Sequence, residues 1–282
     1  MSMYVLYNSK ANNGAGKTDA EQLKSIWTEK EIVFEDALGK NYADVLAALK
    51  PEDSVCLCGG DGTLNRLVND IDGMELKNDI YYFPTGSGND FWNDLNKKKG
   101  DAPEKINKYL VNLPTVTING KSSKFINGIG YGIDGYCCEE GDLLREKSDK
   151  PINYTSIAIK GMLYKYKPTN AEIEIDGEKF TFEKAWLAPT MKGRFYGGGM
   201  MATPGQDRLD PKRRVTVMVM NGKGRLATLI AFPAIFKGEH VKKTNIVHVM
   251  KGKHVKVKFD RPTALQIDGE TVKNVTEYEV NI

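Results

Sequence analysis

The sequence predicts a protein of two parts, an α/β domain with a parallel sheet and helices on both faces, followed by a β-rich domain. The first part alternates apolar runs of strand length with stretches of helical spacing, the pattern of a parallel sheet covered by helices. After Leu113 and Pro114 the pattern changes to short strands separated by turn residues. The boundary is therefore placed between 118 and 119, giving domains over 1–118 and 119–282.

The strands of the first part are predicted from four apolar runs, at 3–7, 31–34, 54–58 and 80–83. The loops at 8–14, 59–65 and 84–90 each leave the end of one of these strands. In sheets of this class ligands bind beyond the carboxyl ends of the strands. We therefore expect the three loops to cluster at one edge and to form one site.

The most informative loop is 58–65, which reads Cys-Gly-Gly-Asp-Gly-Thr-Leu-Asn. A strand precedes it, and a helix is predicted after it because apolar residues recur at positions 64, 67, 68 and 71. Glycines let the backbone approach a ligand, and the helix start presents N–H groups that suit a phosphate. Asp61 in the same turn implies a magnesium ion, a ribose hydroxyl or a proton to be moved. The alternative from these residues alone is a tight turn with an aspartate helix cap.

The segment 59–65 resembles the signature of the diacylglycerol kinase catalytic-domain family, the soluble bacterial lipid kinases and their sphingosine and ceramide kinase relatives. A Gly-Gly-Asp-Gly turn also occurs in NAD kinases and phosphofructokinases. Residues 84–91 resemble the family's second signature, Pro-x-Gly-Thr-x-Asn-Asp-Phe, with Ser87 at the threonine position. In a third loop the family reads Asn-Pro-x-Ser-Gly; here Asn8 matches and Ser9 replaces the proline.

The resemblance implies an NAD kinase/lipid kinase-like nucleotide domain, a C-terminal β-rich sandwich domain, and an active site in the cleft between them. The implied reaction is ATP-dependent phosphorylation of a hydroxyl on a diacylglycerol-like lipid alcohol, with ATP and Mg²⁺ as cofactors. Asp61 would hold magnesium or assist the catalytic base. The residues implied in ATP binding are Asn8, Ser9, Lys10, Ala11, Asn12, Gly59, Gly60, Asp61, Gly62, Thr63, Leu64, Asn65 and Ser87.

Near the end of the chain, Asp268-Gly269-Glu270 taken alone predicts a hairpin turn. In the family an Asp-Gly-Glu at this point carries the glutamate thought to take the proton from the lipid hydroxyl. The resemblance therefore implies that Glu270 is the general base.

A further family stretch, over about 202–212, binds a structural magnesium ion in some bacterial members. Carried over, its ligands are Asp207, Asp210 and the carbonyl of Lys212, since hard cations need oxygen ligands. The family's Asp-Gly is Asp210-Pro211 here, and a surface turn without metal is the alternative.

Two other functions remain open. One is another kinase of the superfamily, such as an NAD kinase, but the Asn-Asn-Glu stretch usual after that helix is not found here. The other is a non-catalytic lipid-binding regulator, against which the retention of both Asp61 and Glu270 argues.

The composition and net charge of the chain limit the kinds of binding partner to expect. The chain has 282 residues, of which 40% are hydrophobic and 27% charged, as is usual for globular proteins. A net charge of +3 is too small to indicate a nucleic-acid partner, although it allows weak attraction to anionic lipid. We expect a cytoplasmic protein without signal peptide, held peripherally at the membrane surface where its lipid substrate lies; a homodimer is left open. The longest apolar run, 226–236, is too short for a bilayer.

Overall fold

A computed structural model describes residues 1–9, 14–86, 88–147, 152–222 and 224–282. The chain divides into two compact units, Met1–Leu113 and Pro114–Ile282. This division falls a few residues before the boundary expected from the sequence. The reason is that strand Thr115–Ile118 pairs with a strand at the end of the chain, through Thr117 and Glu279 among others, and so belongs to the second unit.

The strands of the first unit are β1 (Ser2–Tyr7), β2 (Glu31–Asp36), β3 (Ser54–Gly59), β4 (Asp79–Pro84) and β5 (Glu104–Lys105). Among the described residues they form one five-stranded sheet in the order β2-β1-β3-β4-β5. The first four strands are parallel and β5 is antiparallel to β4. Every residue of β3 is buried, which explains the continuous apolar run in the sequence. The predicted parallel sheet is confirmed.

The helices of this unit are α1 (Gly16–Glu21), α2 (Tyr42–Ala47), α3 (Asp61–Asp70) and α4 (Asp90–Asp94), with short 3₁₀ segments at Gln22–Ser25 and Asn107–Tyr109. The predicted apolar face of α3 is buried, at Leu64, Leu67 and Val68. The connection through α1 leads to one side of β1 and the connection through α2 leads back across it. Right-handed crossovers then place α1 and α2 on opposite faces of the sheet.

The strands of the second unit are β6 (Thr115–Ile118), β7 (Lys121–Lys124), β8 (Gly128–Tyr131), β9 (Thr169–Ile175), β10 (Glu178–Leu187), β11 (Thr190–Met191), β12 (Val215–Asn221), β13 (Val247–Gly252), β14 (Val255–Ile267) and β15 (Glu270–Asn281). In the described part of the chain these ten strands form one paired network. The long strand β14 pairs with β9 along its first half and with β8 along its second. The network therefore folds over on itself around an apolar core that includes Tyr131, Phe259 and Tyr278.

The helices of the second unit are α5 (Ile133–Arg145), α6 (Tyr154–Lys160) and α7 (Arg225–Ala231), with a π-helical turn at Gly161–Lys165 and 3₁₀ turns at Phe232–Lys237 and Glu239–Lys242. Helix α7 changes to a 3₁₀ turn at Phe232, next to Pro233, because proline lacks the N–H that an α-helix needs. Among the described residues there is no helix that is both long and apolar enough to cross a bilayer.

The glycine-rich segment 127–134 packs closely against neighbouring parts of the second unit. A Cβ atom on Gly130 would lie 2.6 Å from the Gln266 side chain, and one on Gly132 would lie 2.5 Å from the Trp186 carbonyl oxygen. This segment also holds strand β8 and the start of helix α5, neither of which was predicted. Glycine has low strand propensity, so the pattern contains no strand signal.

Candidate functional site

The strand order of the first unit changes direction between β1 and β3. Strand β2 lies on one side of β1 and β3 on the other, so the connections leaving β1 and β3 run in opposite directions. In open α/β sheets ligands bind at such a switch point, beyond the carboxyl ends of the strands. The loops after β1, β3 and β4 begin at Asn8, Gly60 and Thr85, all at this edge of the sheet. The predicted clustering of the three loops follows from this strand order.

The loops after β3 and β4 are packed against each other backbone to backbone. A Cβ atom on Gly86 would lie 2.6 Å from the Cα atom of Gly60, and one on Gly60 would lie 3.3 Å from the Cα atom of Gly86. The carbonyl oxygen of Gly59 accepts hydrogen bonds from the Thr85 N–H at 3.0 Å and from the Tyr82 hydroxyl at 2.9 Å. The two glycine-bearing segments, 59–62 and 84–86, are therefore in direct backbone contact with each other.

Asp61 caps a helix, but not the one that the sequence analysis considered. Gly60 is the N-cap of α3, and the Asp61 carboxylate reaches to the start of α4. There its two oxygens accept hydrogen bonds from the N–H groups of Asp90 and Phe91, each at 2.9 Å. A carboxylate at a helix N-terminus also interacts favourably with the helix dipole. The residue before α4, Asn89, has a left-handed backbone, with φ of 49°. Asp61 thus ties the two family signatures together.

The other residues predicted to bind nucleotide differ in which of their atoms are available to a ligand. Asn8 is half-buried, and Ser9 donates its N–H to the Asp36 carboxylate at 3.2 Å. Leu64 is fully buried in the core, so only its backbone is available to a ligand. The carbonyl oxygen of Asn65 accepts a hydrogen bond from an asparagine one turn later in the same helix. Lys10, Ala11, Asn12 and Ser87 lie outside the described residues.

In the second unit, Glu270 is an exposed residue at the start of β15, immediately after the turn that joins β14 to β15. The turn is held by Asp268, which is only 7% exposed. The carboxylate of Asp268 accepts three backbone hydrogen bonds, from Ile126 at 2.7 Å, Asn127 at 2.8 Å and Gly128 at 2.9 Å. Three charge-assisted bonds make a strong attachment. The predicted base therefore lies on a hairpin whose position is set by its neighbour Asp268.

The same tetrapeptide, Ile-Asp-Gly-Glu, occurs twice in the chain, at 175–178 and at 267–270. Both copies form hairpin turns with positive φ at the aspartate, 50° at Asp176 and 47° at Asp268. Asp176 is exposed and its carboxylate accepts N–H bonds from two exposed residues, Lys253 and His254. Only the copy at 267–270 is anchored in the interior.

Asn127 connects this hairpin to two buried cations that the sequence analysis did not single out. Its carbonyl oxygen accepts hydrogen bonds from the backbone N–H groups of Lys192 and Gly193, at 2.8 and 2.9 Å. Its side-chain oxygen accepts one from the Arg208 guanidinium at 2.5 Å. Lys192 is 5% exposed and Arg208 is 8% exposed. Burial, followed by Arg208, lowers the pKa of Lys192. In the sequence, the position of Lys192 directly after an apolar run is the one feature that could have indicated its burial.

The turn predicted to bind magnesium uses its carboxylates for other bonds. Asp207 accepts the N–H of Leu209 at 2.9 Å, and Asp210 accepts that of Lys212 at 3.1 Å. The Arg214 guanidinium bonds to the Asp210 carboxylate at 2.8 Å and lowers the pKa of that group to about 2. Among the described residues there is no cluster of three or more acids, histidines or cysteines able to hold a metal. In this arrangement Asp210 is paired with Arg214, and ligation of magnesium by Asp207, Asp210 and the Lys212 carbonyl stays a prediction.

A buried acid in the second unit was also missed. Asp134, in the first turn of α5, is 6% exposed and accepts a hydrogen bond from the Tyr196 hydroxyl at 2.7 Å. Burial raises the pKa of Asp134 to about 7, while the bond from Tyr196 acts in the opposite direction. Nothing in the local sequence distinguishes this aspartate from an ordinary helix-start residue.

Comparisons with known proteins agree for both units. Residues 2–119 match the family model of the diacylglycerol kinase catalytic domain. Residues 127–280, more than half of the chain, match the YegS C-terminal NAD kinase beta sandwich-like domain.

Relatives with names were also found. A diacylglycerol kinase of Bacillus subtilis is 29% identical over 231 residues, covering 79% of this chain and 73% of the relative. A diacylglycerol kinase of Mycobacterium tuberculosis is 27% identical over 219 residues, covering 75% of this chain and 69% of the relative. A crystal structure of a diacylglycerol kinase from Bacillus anthracis aligns over 99% of this chain and 93% of that chain, with a TM-score of 0.64. At a sequence identity of 18%, this structural likeness shows a common fold alone. The chain therefore belongs to the diacylglycerol kinase-like family of lipid kinases.

Proposed function

We propose that this protein transfers the γ-phosphoryl group of ATP to a hydroxyl of a diacylglycerol-like lipid alcohol. The observation that carries the proposal is the glycine turn at 59–62, which lies at the switch point of the sheet and is packed against the loop after β4. Membership of the lipid kinase family and the names of its relatives support the choice of donor and acceptor.

The nucleotide is proposed to bind along the carboxyl edge of the first sheet. Backbone N–H groups between Gly60 and Asn65, at the start of α3, would contact its phosphates, since a helix N-terminus favours anions. Backbone of the loop 8–12 and the hydroxyl of Ser87 would complete the contacts. Asp61 would act by holding the two loops in register through its bonds to the start of α4.

The chemical step needs a base because a lipid hydroxyl is a weak nucleophile. In the proposed reaction Glu270 accepts the hydroxyl proton while the alcohol oxygen forms a bond to the γ-phosphorus and the bond to ADP breaks. Asp268 would keep Glu270 in place, because its carboxylate fixes the turn that precedes β15. The meeting of Glu270 with Asp61 in one cavity stays a prediction.

Magnesium is proposed as the partner of ATP, as in other phosphoryl-transfer enzymes, where it neutralises charge on the phosphates. No step is assigned to a structural metal at Asp207 and Asp210, since Arg214 already pairs with Asp210.

We also propose that the protein meets its substrate at the membrane surface without crossing it. The lysines that alternate along β14 do not form a purely cationic face, because Lys256 forms ion pairs with Glu277 and Glu279. Helix α7 adds an apolar element, since Leu226 and Ile230 are each 68% exposed and lie one turn apart. Attraction of the remaining lysines to anionic lipid would weaken with salt.

The decisive experiment compares Glu270→Gln with Glu178→Gln, the same change at the equivalent position of the other Ile-Asp-Gly-Glu hairpin. Purified proteins are incubated with radiolabelled ATP, magnesium and vesicles that contain diacylglycerol, phosphatidylglycerol, undecaprenol or sphingosine, and with NAD in a separate reaction. We expect label in a lipid, and a loss of turnover of roughly 10²- to 10⁴-fold for Glu270→Gln only.

Equal turnover of Glu270→Gln and the parent protein would remove Glu270 from the role of base. Transfer of the label to NAD and to no lipid would show that the acceptor is NAD and would refute the proposed lipid acceptor. Repeating the reaction at rising salt tests the surface attraction, which predicts that both vesicle binding and turnover fall.

A further inference from the structure

The second unit contains a buried lysine residue whose side chain has no hydrogen-bond acceptor or carboxylate partner among the described residues. Lys192 follows strand β11 and is 5% exposed. Its backbone is fixed, since its N–H donates to Asn127 and its carbonyl oxygen accepts a bond from the buried Gln206 side chain at 3.3 Å. Within the described residues its side chain forms neither a hydrogen bond nor an ion pair. Buried charges in proteins are normally paired or bound to a ligand.

The charges around Lys192 do not supply that partner. Arg208 and Arg213 are close enough to act on it with charge of the same sign. Asp210 and Asp207 act with the opposite sign, but more weakly than burial and the two arginines. Asp210 is already engaged by Arg214, and Asp207 accepts the N–H of Leu209. The local field therefore favours an anion.

Arg208 is held in place as a second donor to the same region. Its guanidinium donates to the carbonyl oxygen of Ile126 and to the side-chain oxygen of Asn127, each at 2.5 Å. Asn127 also binds the backbone of Lys192 and, through its own N–H, the carboxylate of Asp268. One residue thus joins Lys192, Arg208 and the hairpin that carries Glu270.

The segment that carries Arg208 is itself rigid. Gln206, 5% exposed, donates to the carbonyl oxygens of Asp207 and Arg214 at 3.1 and 3.0 Å and accepts the Thr216 hydroxyl. A side chain fixed in this way loses little conformational freedom when it binds a ligand, so the pair is organised in advance.

We propose that Lys192 and Arg208 form a phosphate-binding site next to the hairpin of Glu270. The ligand class is a phosphate group with unshared oxygens, because ammonium and guanidinium groups are the usual donors to such oxygens. The site deepens the proposed function, on which the choice of phosphate as natural ligand rests: the phosphate belongs either to the nucleotide or to the phosphorylated lipid. Lys192 is then a positioning residue for the group that is transferred.

The test begins with inorganic phosphate and the intact chain. Affinity is measured by calorimetry at constant ionic strength for the parent protein, for Lys192→Met and for Lys258→Met, the same change at an exposed lysine on β14. We expect Lys192→Met to bind phosphate roughly 10- to 100-fold more weakly, as for loss of a charge-assisted bond, and Lys258→Met to bind it as the parent does.

Folding is not expected to limit this test, because methionine is of similar length to lysine and removes the cost of keeping a charged group in a largely buried position. Lys192→Gln provides a second neutral variant with the same expected loss. Phosphate affinity unchanged in both variants would overturn the proposal, as would a parent protein that does not bind phosphate.

A second arm identifies the source of the phosphate. Binding of a non-hydrolysable ATP analogue and of a short-chain phosphatidic acid is compared between the parent protein and Lys192→Met. Weakening of either supports the site and names its ligand, and weakening of neither overturns it. A protein that binds phosphate through Lys192 but phosphorylates no lipid would refute the proposed function and leave this site standing. A protein that phosphorylates a lipid but binds phosphate equally well with and without Lys192 would refute this site and leave the proposed function standing.

Discussion

The anchoring of the Asp268 turn makes the sharpest prediction, because the chain contains its own control. Asparagine has nearly the size of aspartate and tolerates a positive φ, so Asp268→Asn leaves the backbone conformation acceptable. Its amide can accept at one oxygen only. The bonds from Asn127 and Gly128, which share one oxygen, can persist, whereas the amide NH₂ would face the N–H of Ile126.

The expected loss follows from these contacts. Ile126 is fully buried, so its N–H loses a charge-assisted bond without access to water. Such a bond contributes about 1.5–3 kcal/mol, and the two remaining bonds weaken with the loss of charge, so we expect a total loss of about 2–4 kcal/mol. In Asp176→Asn the donors, Lys253 and His254, are exposed and can bond to water, so the loss should stay below about 1 kcal/mol.

Urea unfolding of the two variants and the parent protein measures the difference, and amide hydrogen exchange locates it. Exchange at Ile126 should become faster in Asp268→Asn and stay unchanged in Asp176→Asn. Equal destabilisation by the two substitutions, or unchanged exchange at Ile126, would refute the view that the carboxylate of Asp268 anchors the hairpin.

Two further substitutions test the packing of the loops and the buried acid. Gly86→Ala should lower the free energy of unfolding by about 1–3 kcal/mol in urea titrations, because its Cβ atom would overlap the backbone of Gly60. The control Gly205→Ala should be neutral, because a Cβ atom there meets open space. A neutral Gly86→Ala would contradict the close packing of the two loops. Burial raises the pKa of Asp134 to about 7, so the unfolded chain releases this proton at lower pH than the folded chain. The contribution of Asp134 to stability therefore falls as pH rises from about 4 to about 7, by about 1.4 kcal/mol per unit. Asp134→Asn keeps an acceptor for Tyr196 but cannot ionise. Between about pH 5 and about pH 8 the free energy of unfolding of the parent protein should fall by about 2–3 kcal/mol more than that of Asp134→Asn. An identical fall in both proteins would contradict burial of an ionisable Asp134.

Much of the first unit was predictable because its signals are local. An apolar run followed by glycines and a helix face determines strand β3, its turn and helix α3 from residues that are adjacent in sequence. The edge at which the loops lie follows from the parallel arrangement alone. The partner of Asp61 was not predictable, since the N–H groups that it caps belong to residues 29 and 30 positions further along the chain.

In the second unit the local signal was ambiguous at the point that matters most. The tetrapeptide Ile-Asp-Gly-Glu determines a hairpin turn wherever it occurs, because both central residues accept a positive φ. Local residue patterns were therefore enough to predict the fold class, the glycine turn at 59–62 and the hairpin that carries Glu270. The folded chain adds that Asp268 is anchored in the interior while Asp176 is not, and that Lys192 is buried with no side-chain hydrogen bond or ion pair among the described residues. The bonds of Asp268 join residues more than a hundred positions apart, and the backbone of Lys192 is held by Asn127 from another strand region, so no local pattern records either feature.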